Sequence, residues 1–152
     1  MKKYLAALTI AAALAQPAAA TTFPSLTTIY VGAGVYDSGN GFNATLIRCA
    51  NVSGLSAALR YLILDEDGMV IASQTANVIH GASALAATSA VGGVSGEVVL
   101  AIGEQEEGAV LNVESTQSGV FCNAAIVDPN GLVRDGSSLP LVRVNPHPGT
   151  VE

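Results

Sequence analysis

The sequence predicts an all-β fold, a single antiparallel β-sandwich, and three observations carry that prediction. Apolar runs are short and are punctuated by Gly, Asn, Asp, Pro and Ser. Beyond residue 20 no segment sustains a helical period. The only two cysteines sit in two alternating segments, "TLIRCAN" and "VFCNAAIV".

The first 20 residues, "MKKYLAALTIAAALAQPAAA", read as a cleaved signal peptide. Lys2 and Lys3 supply the basic start, Leu5 to Ala15 the apolar stretch, and Ala18 to Ala20 the small-residue cut site. The expected organisation is then a leader (1–20), a lead-in (21–26), one domain (27–144) and an extended tail (145–152). After cleavage four arginines (Arg48, Arg60, Arg134 and Arg143) face 12 acidic residues, a net charge of −8. That excess repels nucleic acid and anionic membranes. Secretion or a periplasmic location follows, with no membrane insertion.

The elements follow in order. β-branched and aromatic residues predict a strand over 27–36, closed by the turn "DSGNG" (37–41). In the next, 43–51, Arg48 marks the solvent row, so Ile47 and Cys49 point inward; "NVSG" (51–54) ends it. Over 57–65 Arg60 marks the outer row, and Leu59, Tyr61 and Ile63 form the inner one. "DEDG" (65–68) reads as a hairpin turn, with Gly68 free to take positive φ. Two short strands, 69–73 and 75–80, are expected on either side of Gln74. The small-residue stretch "GASALAATSAVGGVSG" (81–96) holds a flexible edge strand over 84–89, or a flat surface open to a partner. Apolar runs at 96–102 and 109–115 flank the acidic loop "GEQEEG" (103–108). The strand 119–128 points Val120, Cys122, Ala124 and Ile126 inward and ends at "DPNG" (128–131). The last strand spans 138–144.

With two cysteines, one internal pairing exists, Cys49–Cys122, and it closes 73 residues. Both lie on inward rows, so the bridge is expected to link two packed sheets. The outer rows carry unexpected apolar residues: Leu46, Leu62, Leu64, Phe121 and Val127. Either the domain's own loops cover them or they form a patch for another protein. Leu62, Leu64, Phe121 and Leu85 are the residues of choice for such a surface.

The order "LIRCANVSG", "ALRYLILDEDGMVI", "VFCNAAIVDPNG", "SLPLVRV" resembles small exported immunoglobulin- or fibronectin III-like sandwich proteins of bacteria. The shared elements are a Cys-x-Asn before a loop, an amphipathic strand ending at Asp-Gly, and a second Cys before a strand end. The resemblance covers 27–144 and implies a fold, with the disulfide between sheets, but no activity.

Catalytic chemistry has few residues to use. The histidines are His80 and His147, the latter in the tail, and "GGVSG" (92–96) misses a nucleophile elbow because Glu97 stands where glycine is needed. No lysine follows the leader, which removes Schiff-base chemistry. "VGAGVYDSG" (31–39) lacks the third glycine of a dinucleotide site. Asp65 and Asp67 are candidate calcium ligands, although the EF-hand spacing fails at Gly68 and Ala76. Asn43 and Asn51 begin Asn-x-Ser/Thr sequons.

The expected function is non-catalytic: a secreted or periplasmic binding or assembly module, acting through a sheet face or edge on a protein partner or on itself. The alternative is a carbohydrate- or calcium-binding surface module, and a third reading is a small hydrolase. No cofactor is expected.

Overall fold

The computed structural model describes residues 25–39, 43–92, 96–102, 108–128 and 133–144, the side chains of 133–137 excepted. The expected leader and tail, His147, Glu104, Glu106, Glu107 and most of "DPNG" lie outside the described residues.

All regular structure among the described residues is strand. In chain order the strands are β1 (Thr27–Val35), β2 (Ala44–Asn51), β3 (Ala57–Leu64), β4 (Val70–Val78) and β5 (Ser83–Ala87). They continue with β6 (Glu97–Val99), β7 (Ala109–Ser115), β8 (Val120–Val127), β9 (Val133–Leu139) and β10 (Leu141–Arg143). The first sheet runs β10-β1-β7-β3-β4 and the second β6-β5-β2-β8-β9.

Several expectations are corrected. The strands expected at 69–73 and 75–80 are one strand, β4, because Gln74 is polar but neither glycine nor proline breaks the run. The 138–144 strand divides at Pro140, which has no N–H for a ladder; the chain leaves the second sheet there and joins the first. The sheets are not wholly antiparallel, since β5 and β6 pair in parallel. Parallel neighbours need a crossover connection rather than a hairpin. β5 is also no edge strand, being flanked by β6 and β2.

The largest correction concerns the disulfide. Cys49 and Cys122 are bonded, but β2 and β8 are neighbours in the second sheet and the two cysteines stand directly opposite in register. Their Cα atoms lie 4.1 Å apart. The bridge is therefore a cross-strand link within one sheet, not a tie between sheets. Antibody-type domains place their two cysteine strands in opposite sheets. Such a bond belongs to an oxidising compartment.

Inner rows of both sheets meet in one apolar cluster: Leu59, Tyr61, Ile63, Leu111 and Val113 of the first sheet join Ile47, Cys49, Ala86, Val120 and Ala124 of the second. A smaller cluster lies on the outer row of the second sheet, where Val91 packs with Ala44, Ala87, Val127 and Leu46. The Val91 amide donates to Glu97 Oε1 (3.0 Å), which fixes this loop over the sheet. Own-loop coverage thus accounts for Leu46 and Val127.

Tyr61 is fully buried, and its hydroxyl has no hydrogen-bond partner among the described residues. Burial pushes the phenol well above its ordinary range, so the ring stays neutral. A buried hydroxyl without a partner costs about 1–3 kcal/mol, whereas phenylalanine fills nearly the same volume. Tyr61→Phe is therefore expected to leave stability unchanged or to raise it by about 1 kcal/mol in urea unfolding. A loss of that size would contradict the assignment.

Candidate interaction surface

The four residues singled out as a surface do not form one. Leu62 and Leu64 alternate with the buried Tyr61 and Ile63, so they lie on the outer face of the first sheet. Both are half-buried: Leu62 stands between Ser73 and Asn112, and Leu64 between Val70 and Val110. The row beside them is closed by an ion pair between Arg60 and Glu114. Leu85 and Phe121 belong to the second sheet, where Leu85 faces Arg48 across β2 and Phe121 faces Ala50.

Around Phe121 the structure gathers groups that sequence reading did not connect. Phe121 is 53 % exposed, near the start of β8, where the pairing with β9 does not reach. Arg143 reaches over from β10, at the edge of the first sheet. Its guanidinium carbon stands 5.3 Å from the ring centroid, a cation–π arrangement. One end of that guanidinium is held in place, since Nη2 donates to the Ser118 carbonyl (2.8 Å). Beside the ring lies a shallow depression of about 260 Å³ lined by Arg48, Ala50, Phe121, Cys122 and Asn123. Two of the chain's four arginines therefore frame one exposed aromatic ring, in a protein whose acids outnumber its bases two to one. Proximity of β8 to β10 was not readable from sequence, because they belong to different sheets. In the sequence Arg48 marks only the outward row.

The other nominated residues have structural work. Asp65 N–H donates to the Met69 carbonyl (2.9 Å) and Gly68 N–H to the Asp65 carbonyl (3.1 Å), closing a hairpin. Gly68 takes φ of 78°, as expected. One carboxylate oxygen of Asp65 accepts from the amides of Asp67 (3.1 Å) and Met69 (2.8 Å). That oxygen caps the turn, and no group of three metal-ligating side chains occurs among the described residues. His80 ends the β4 side of a turn, and its Nδ1 accepts from Gly54 N–H (3.1 Å).

Asn51 is the residue that sequence reading undervalued. It is fully buried, and its amide nitrogen donates to the carbonyls of Leu55 (2.7 Å) and Val78 (2.8 Å). Its Oδ1 accepts from the Ser53 amide (3.0 Å) and the Ser53 hydroxyl (2.7 Å). One side chain thus ties the end of β2, the loop into β3 and the end of β4. The amide nitrogen that a sequon would offer to a glycan is committed inside the fold. The signal was the Cys-x-Asn before a loop, which marks a buried asparagine at a strand end.

No protein-family model, no curated protein and no solved structure matches the chain.

Proposed function

We propose that this protein is a non-catalytic binding module of a secreted or periplasmic compartment, a β-sandwich that holds a protein partner on the outer face of its second sheet. The observation that carries this reading is Phe121, exposed on the outer row of β8 with the Arg143 guanidinium over its ring. Aromatic and arginine side chains dominate the energetics of protein interfaces, above all where a depression lets an anchor be desolvated. With Arg48 and Asn123 lining that depression, the complementary segment carries an apolar side chain next to a carboxylate.

The test compares capture from the native secreted fraction by the wild type, Phe121→Ser and Leu62→Ser, with affinity measured for whatever is retained. Phe121→Ser is expected to weaken binding about 30-fold, the effect of losing a hot spot worth about 2 kcal/mol. Leu62→Ser, on the other sheet, should bind as the wild type does. Equal binding by Phe121→Ser, or no retained protein with the wild type, overturns the proposal.

A further inference from the structure

The strands that end the two sheets are not alike. β6 and β10 are three residues long, and Pro140 precedes β10. β9 carries Arg134, Asp135 and Gly136 near its centre. Short length, proline, charge and β-bulges are the usual means by which a sheet edge avoids pairing with another chain. β4 has only a bulge at Ile71, near its start: its nine residues, "VIASQTANV", include no charge, proline or glycine. Among the described residues Val70–Asn77 form a ladder with β3 alone, and Ser73, Gln74 and Thr75 are all exposed. In an antiparallel ladder alternate residues turn their N–H and C=O groups away from the partner, so this edge offers a row of unpaired groups.

The same strand reads nearly alike from either end. Val70 mirrors Val78, Ala72 mirrors Ala76 and Ser73 mirrors Thr75, with Gln74 at the centre; Ile71 and Asn77 alone differ in kind. If two copies run antiparallel about a two-fold axis at Gln74, alanine meets alanine and hydroxyl meets hydroxyl over residues 72–76. The match stops short of the strand ends: Ile71 is bulged out of the ladder, and Val78 is buried with its carbonyl accepting from the Asn51 amide. Exposed Met69 and Ile79 flank this span at its two ends. The acidic turn Asp65–Asp67 of one copy comes alongside His80 of the other, whereas a parallel arrangement would set two acidic turns side by side.

We propose that the protein forms a two-fold dimer in which β4 pairs antiparallel with β4 of a second copy, joining two five-stranded sheets into one of ten strands. The interface is isologous, so it closes at two copies and does not propagate into a filament. Main-chain hydrogen bonds supply the attraction, and the mirrored side chains fix the register. This inference is independent of the partner-binding face, since β4 and Phe121 belong to different sheets.

Sedimentation equilibrium over a concentration series tests it with Gln74→Lys, Gln74→Glu and an equal mixture of the two. Gln74 is exposed, so either change should leave the fold intact, as circular dichroism checks. The wild type is expected to show a monomer–dimer equilibrium. Each variant, with like charges facing across the axis, should dimerise on the order of fivefold more weakly, and the mixture should recover the dimer as a heterodimer. Recovery on mixing requires residue 74 to face residue 74, which no other register provides. A wild type that stays monomeric throughout overturns the proposal, as does a dimer indifferent to charge at position 74. Phe121→Ser should dimerise like the wild type, so failure here and failure of the binding reading are separately visible.

Discussion

Asn51→Ala is expected to lower the stability of the folded protein by about 3 kcal/mol or more, by the cost of stranding buried polar groups. Four hydrogen bonds disappear together, and the partners cannot all turn to water. The Val78 carbonyl, at the buried end of β4, loses the Asn51 amide as donor, and the Leu55 carbonyl loses it too. The Ser53 amide and hydroxyl lose their acceptor. Asn51→Asp separates the two halves of this network. It keeps an acceptor for Ser53 but turns a charged oxygen toward two carbonyls, and it buries that charge, so it should be at least as damaging at neutral pH. Urea denaturation of the three proteins checks both statements. If Asn51→Asp were close to wild type, the donor half of the network would carry little of the stability.

The same residue shows what could and could not be read from the chain. Alternation identified which residues of β2, β3 and β8 face inward, because period two is a local property of a strand. It placed Cys49, Leu59, Tyr61, Ile63, Val120 and Ala124 in the core correctly. It could not say which sheet a strand joins, since an inward row looks the same from either layer. For that reason alternation leads to cysteines in opposite sheets, whereas they are neighbours in one. Local composition misled twice more. Gln74 divided β4 on paper, and Arg-Asp-Gly-Ser-Ser concealed β9, which forms because β8 offers it a ladder. Both are sheet-edge strands, where polar residues cost little and the hydrophobic signal fades. Of the candidate surface, Phe121 was legible as an apolar residue on a polar row. Its relation to Arg143 was not, because that contact depends on the chain changing sheets at Pro140.

The within-sheet disulfide has its own expected signature. A tie between layers would be expected to hold the two sheets together, so that its loss would loosen the core. Here β2 and β8 already pair over eight residues, from Ala44↔Val127 to Asn51↔Val120, and the bridge joins two residues that the ladder has brought face to face. Its contribution therefore falls mainly on the unfolded chain, in which it closes a separation of 73 residues. In the chain-entropy account a loop of that size is worth about 4 kcal/mol. The double variant Cys49→Ala/Cys122→Ala should thus lose about 4 kcal/mol, with a further share from the space left beside the fully buried Cys49. Its circular dichroism below the transition should remain that of the wild type. Its urea m-value should rise, because the unlinked denatured chain exposes more surface. A variant with an unchanged m-value and intact stability would contradict this account: it would show that the bridge adds nothing to what the ladder supplies.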